Sequence, residues 1–369
     1  MADKTTLAAH RAEHRQPLVR VVRKNDMPAY KSTLLRIGAF VVALVAGGLF
    51  ILCIGQNPFD VYGTILKGSF RTSMAIQATV KIAVPLLICS LGLTFAFKMN
   101  FWNIGAEGQL IMGAICATPI ALYLDGLPRP LVLILMVLAG MIGGGIWALI
   151  PAIFKVRFGT NETLFTLMLN YIALYMIMYF REGPWRDPNT PAYPQIKYFS
   201  QNARLYEVLG VHIGWIIALV LVILVYIYLN KTKQGYEISV VGESQATARY
   251  AGMNVGRIVI RTMFISGAVC GLAGVIQISG ADYTLADSVA GGVGFTAIIV
   301  AWISRLNPFV ITLVSALFAI LEKGCSVMQS TFQISTTASE VLQGVILFFI
   351  LGFEFFTRYA LVFRKRGGK

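Results

Sequence analysis

Charge, histidine and paired cysteine are scarce in this 369-residue chain, and each shortage removes a class of chemistry. Charged residues make up 13% and hydrophobic ones 57%, with a mean hydropathy of +0.71, which excludes a soluble globule of ordinary composition. His10, His14 and His212 are scattered and offer no metal-binding cluster. Cys53, Cys89, Cys116, Cys270 and Cys325 lie in or beside apolar runs without the paired spacing of a zinc or redox motif, and read as packing residues. A Gly-x-x-x-x-Gly-Lys-Ser/Thr phosphate loop is also missing, so ATP is not bound by the usual motif in this chain. What remains is an all-α polytopic membrane protein.

Lys and Arg outnumber Asp and Glu by 31 to 17, for a net charge of +14. The basic residues gather at the ends of apolar segments, which is the pattern of membrane orientation rather than of a nucleic-acid surface. A spanning helix takes about 20 mostly apolar residues, and roughly ten candidates follow: 33–54, 75–97, 104–124, 130–154, 163–181, 213–230, 258–280, 290–305, 308–322 and 338–357. Threaded alternately, they put Lys98, Lys155, Arg157, Lys231, Lys233, Arg249, Arg257, Arg261 and Arg305 on one side, with both termini, and that side is expected to be cytoplasmic. The chain then divides into a basic N-terminal arm (1–32), a membrane domain (33–358) and a basic tail (359–369). The arm carries Arg11, Arg15, Arg20, Arg23, Lys24 and Lys31 without a small-residue cleavage site, so a cleaved signal peptide is not expected and the arm reads as flexible. Segment 182–212, with Pro184, Trp185, Pro188, Pro191, Pro194 and Tyr198, is expected outside, where it suits either a binding-protein contact or a plain connector. Trp185 and Trp215 read as interfacial anchors.

Polar residues interrupt the apolar sequence at three places. Phe101-Trp-Asn-Ile-Gly-Ala-Glu-Gly-Gln109 sets Asn103, Glu107 and Gln109 near membrane depth, where irregular backbone must be buried in protein or line a water-filled cavity. Gly291-Gly-Val-Gly-Phe-Thr-Ala-Ile-Ile-Val-Ala-Trp302 makes a second break before a helix. Free backbone N–H groups at either break suit a polar solute; the same glycines also suit tight helix crossing. Glu162, Thr166 and Asn170 fall at i, i+4 and i+8 on one helix face, a polar stripe that does not belong against lipid. Solute lining and helix-to-helix hydrogen bonding both fit it; Asn170, nearer mid-membrane, favours the first and Glu162 the second. Asn161 to Ile172 and Ser339 to Ile350 share Glu, Leu, Leu and Ile at the same offsets, which points to an inverted repeat of helices two to five with helices seven to ten.

The stretch from Gly235 to Arg257 is polar, punctuated by glycine and flanked by apolar runs, so it lies outside the bilayer. Within it, 243–250 reads as a short helix stopped by Gly252. Val241-Gly-Glu-Ser-Gln-Ala-Thr-Ala-Arg-Tyr-Ala-Gly-Met253, followed by Ile265-Ser-Gly-Ala-Val-Cys-Gly-Leu-Ala-Gly274, resembles the cytoplasmic coupling loop and next helix of ATP-binding cassette (ABC) importer permeases for branched-chain amino acids, simple sugars and nucleosides. The 101–109 and 161–171 stretches are similar to signatures of the nucleoside branch, with Trp102 inserted between Phe101 and Asn103. Ser239 departs from the Arg common at its place in relatives.

The resemblance implies a bacterial-type cytoplasmic (inner) membrane subunit without a cofactor of its own. Its partners would be an ATPase subunit holding ATP and Mg, a second permease (homologous or identical), and an extracytoplasmic substrate-binding protein. Docking on the ATPase would fall to Glu243, Ser244, Gln245, Ala246, Ala248, Arg249 and Gly252. The solute path would use Asn103, Glu107, Gln109, Thr166, Asn170, Tyr171 and Phe295, whose neutral hydrogen bonds and rings suit a nucleoside first and a ribose-type sugar second. The alternative from another class is an ion-coupled transporter using Glu107 and Glu340.

Overall fold

The computed structural model describes residues 19–23, 29–190 and 193–363; most of the basic arm and the 364–369 end of the tail lie outside them. Thirteen α-helices account for nearly all regular structure among the described residues. They form two compact units, Met1–Tyr62 with Gln333–Lys369, and Gly63–Phe332.

In the first unit, helices α1 (Ala29–Cys53) and α13 (Thr336–Arg358) pack on each other. Strand β1 (Val19–Arg23) pairs antiparallel with β4 (Tyr359–Phe363), Val19 opposite Phe363, so the arm and tail are joined here rather than wholly flexible.

The second unit holds most of α2 (Pro58–Phe70), then α3 (Ser73–Lys98), α4 (Ala106–Tyr123), α5 (Arg129–Phe158) and α6 (Glu162–Glu182). After a long connection that includes the short strands β2 (Glu207–Val208) and β3 (Val211–His212) come α7 (Gly214–Lys231), α8 (Lys233–Glu243) and α9 (Gln245–Tyr250). The unit closes with α10 (Val255–Gln277, ending in a π-turn to Asp282), α11 (Val293–Ile303) and α12 (Pro308–Phe332).

Among the described residues, six helices are long and apolar enough to cross a bilayer (α3, α5, α6, α7, α10 and α12), or seven if the bent pair Val41–Cys53 with Pro58–Phe70 counts as one span. Of the ten segments expected from hydropathy, 338–357 includes side chains outside those described. Segment 290–305 yields a helix of only 11 residues, too short to cross alone. Helix α2 falls in what reads as a connection, because Gly63, Lys67 and Gly68 break its apolar run.

Helices α3 and α10 form the centre. Helix α10 packs on α4 and α5, while α3 packs on α11 and α12, the reciprocal arrangement that a repeat of α3–α5 in α10–α12 produces. Small residues make the first of these junctions possible. A Cβ at Gly113 or Gly144 would overlap the backbone of α10 at Gly271 and Gly267, and one at Gly274 would overlap Leu110 O. Backbones can approach this closely only where side chains are missing, and the gain is van der Waals contact and interhelical bonding in an apolar solvent.

Candidate functional site

The polar interruptions of the sequence converge where α4 begins. Helix α3 ends at Lys98, Asn100 takes a left-handed conformation (φ 56°), and residues 101–105 run irregularly into α4. This leaves the first N–H groups of α4 without helical partners at membrane depth, where water cannot serve them.

Side chains serve Gly108 N and the two N–H groups just before the helix, at Ile104 and Gly105. Asn103, fully buried, accepts from Gly105 N (2.9 Å) and from Gln109 Nε2 (3.2 Å), and donates to Gln109 Oε1 (3.3 Å). Thr166 Oγ1 on α6 accepts from Ile104 N at 3.1 Å and donates to Glu162 O at 2.8 Å. Asn170, one turn further along α6, accepts from Gly108 N and donates to Ile104 O, both at 2.9 Å. In a continuous helix Gly108 N would bond Ile104 O directly; the Asn170 amide is inserted between them and supplies the missing link. The stripe at i, i+4 therefore serves α4's start, while Glu162, the first residue of α6, pairs with Lys155 at 2.7 Å.

Glu107 faces the second break. Its carboxylate accepts from Gly292 N (Oε1, 2.9 Å) and Gly294 N (Oε2, 2.7 Å), so it caps the N-terminus of α11. Gly292 is left-handed (φ 80°), and a Cβ at Gly294 would overlap Glu107 N, so glycine is required for the approach. The N–H groups that the sequence offered to a solute are occupied here by the chain's own carboxylate, a favourable placement at the positive end of a helix. Asn103, Glu107, Gln109, Thr166 and Asn170 thus form one buried junction. Tyr171 and Phe295 stand apart from its hydrogen bonds, 53% and 42% exposed. Tyr171 shares a helix face instead with the exposed Tyr175 and Tyr179. The inserted Trp102 stacks on Trp302 (ring centroids 5.3 Å apart), while Phe101 is buried.

The second candidate region is α9. Ser244 caps it by accepting from Thr247 N at 3.2 Å, and Gly252, the expected stop, leaves it at φ 76°. Glu243, Gln245, Ala246, Arg249 and Gly252 are exposed, Ser244 is half-buried and Ala248 is buried beneath the helix. Tyr250 is 94% exposed. Helix α8 fixes this projection to the bundle: Glu237 pairs with Arg261 of α10 at 3.0 Å, and Gly242 O accepts from Asn100 Nδ2. Lys98 Nζ, at the end of α3, bonds Leu229 O at 3.3 Å and so holds α7, the helix before α8, to the same place. Asn100 lies three residues before Asn103, so a continuous contact chain runs from α9 through α8 to the polar junction. The sequence gives no sign of the Asn100 contact, because a backbone carbonyl carries no residue signature.

A family described as branched-chain amino acid transport system / permease component matches residues 75–351, a span that includes both regions. The chain belongs to that family. Relatives include the glucose ABC transporter permease protein TsgB13 of Haloferax volcanii, 30% identical over 93% of this chain and 94% of that protein. The guanosine ABC transporter permease protein NupP of Bacillus subtilis is 29% identical over 85% of this chain and 91% of its own length. The nucleoside ABC transporter permease protein NupB of Lactococcus lactis is 30% identical over 85% and 88%. This permease is accordingly a multi-pass membrane subunit of an ABC importer for a small polar solute. The assignment sets aside the ion-coupled alternative; Glu340 is exposed and Glu107 is engaged with backbone N–H groups.

Proposed function

We propose that this permease carries nucleosides. Helix α9 is its docking point for a separate ATPase subunit, which holds ATP and Mg. The observation that carries the mechanical part is the exposed α9, tied through Gly242 and Asn100 to the segment that leads into the polar junction. Closure of the motor presses on Glu243 to Gly252, α8 moves with it, and the 99–105 segment transmits the shift to the start of α4. Two copies, or this chain and a homologue, enclose the path, and a binding protein delivers solute at the end holding 182–212. The end with Lys98, Lys155, Lys231 and Arg261 is cytoplasmic by the positive-inside rule, and both termini lie there in a bacterial-type cytoplasmic membrane.

The nucleoside reading draws support from the nucleoside and guanosine relatives. In it, Asn103, Glu107, Gln109, Thr166 and Asn170 shape the path by fixing two helix starts, and Tyr171 and Phe295, being exposed, offer rings to a base. The glucose permease relative favours a sugar as the second reading. Proteoliposomes with the neighbouring ATPase and binding protein test both: ATP-dependent uptake of labelled guanosine, not competed by glucose or ribose, is expected. Uptake competed by a sugar and not by nucleosides would replace the first reading with the second.

A further inference from the structure

At the end of the bundle away from Lys98 and Arg261, several cations are used internally. Arg181 pairs with Asp287 and Glu182, Arg129 donates to Arg204 O and lies over the Tyr206 ring, and Arg204 donates to Phe199 O. Lys67 and Arg71 are not used in this way. Both are exposed, and neither has a hydrogen bond or ion pair among the described residues.

They stand four residues apart where α2 turns into α3, and two open hollows meet at that corner. One, of ≈ 490 Å³, is walled by Arg71, Thr72, Ser73, Gln77 and the apolar faces of Val211 and Trp215. The other, of ≈ 470 Å³, lies between Lys67, Arg71 and Val327. No acidic side chain is among the described residues lining either hollow, so their charge is purely positive.

The depth of the corner is fixed by its neighbours. Ser73 and Gly214 each begin a candidate span, and Trp215 is the second residue of its helix, at the level where aromatic anchors meet lipid head groups. Around the cations the surface is apolar and exposed: Leu66, Phe70 and Met74, the last at 79%. Cations set in an apolar rim at the bilayer boundary have the make-up of an interfacial anionic-lipid site.

We propose that the Lys67–Arg71 corner binds the head-group phosphate of an anionic phospholipid in that leaflet. The guanidinium supplies a forked donor and the ammonium a second charge, while the apolar walls take the start of the acyl chains. The proposal rests on α3 and α7 being membrane spans, not on the solute or the motor.

The test is native mass spectrometry of the purified chain with phosphatidylglycerol and phosphatidylcholine offered together. The wild type should retain phosphatidylglycerol preferentially, and the double variant Lys67→Gln/Arg71→Gln should lose that retention by roughly ten-fold or more. Lys67→Arg/Arg71→Lys, which keeps the charge, should behave nearly as wild type. Equal retention by wild type and double variant overturns the site. Complete displacement by millimolar inorganic phosphate overturns the lipid as its source. A double variant that keeps its lipid but no longer captures the external binding protein marks the corner as a protein contact and overturns the proposal. Solute uptake in the same preparations reports separately on the transport reading.

Discussion

The polar junction at the start of α4 and the α9 projection are both breaks in an apolar chain, yet they solve opposite problems. In the junction, the side-chain amides and hydroxyl of Asn103, Gln109, Thr166 and Asn170 and the Glu107 carboxylate are all bonded, mostly to backbone that has lost its helical partner. In α9, capping stops at Ser244 and the remaining polar side chains face outward. A saturated junction in a low-dielectric setting is stiff, because every lost bond leaves an unpaired group. A helix of six residues cannot hold itself; α8 and the buried Ala248 hold this one and leave its outer face open. One region is built to keep its geometry; the other, on the reading proposed above, receives a load.

Substitutions ranked by their effect on folded stability sharpen this contrast. Asn170→Leu removes both bonds that bridge Ile104 and Gly108, and at 1–3 kcal/mol for each orphaned group should cost about 2–6 kcal/mol. Thermal unfolding in detergent checks this; an unchanged melting temperature would show that the junction is not saturated as described. Glu107→Ala leaves Gly292 N and Gly294 N unpaired and should cost about 2–4 kcal/mol; Glu107→Gln, which retains an acceptor, should cost less.

A pH effect comes next. His212, in β3 at the opposite end, is buried, and its pKa is lowered to about 4, first by burial and then by Lys81, with Glu207 opposing. The unfolded chain therefore takes up a proton between about pH 6.5 and pH 4 that the folded chain refuses. Stability is full above pH 6.5 and declines on acidification through this window, and His212→Gln should flatten the decline in melting temperature. Smallest in stability is Ala246→Glu/Arg249→Glu on α9, expected within about 0.5 kcal/mol of wild type as an exposed change. Its effect on function is large: ATP-dependent uptake and co-purification with the ATPase should fall at least about ten-fold. Loss of stability without loss of coupling would reverse the roles of the two regions.

Much of this was legible in the residues. The i, i+4, i+8 stripe of α6 announces that Thr166 and Asn170 leave lipid together, and the helix formers of 243–250 with Gly252 beyond them announce a short helix, which in the structure starts at Gln245. Three things were not legible. Glu107 finds its partners 185 and 187 positions away, and those are N–H groups, which every residue but proline carries. Tyr171 adjoins Asn170 in sequence, but one helical step of about 100° takes it to the exposed face. Helix α2 was hidden because two glycines and a lysine divide its apolar residues, so neither run length nor periodicity marks it.

The most direct test is a cross-link from Ala246→Cys to an ATPase subunit reconstituted with the permease and its binding protein. The expected result is efficient capture of the ATPase, with ATP-driven uptake stopped by the cross-link and restored by reduction. A preparation that transports on ATP while the cysteine at position 246 never captures a nucleotide-hydrolysing subunit would contradict the coupling role of α9.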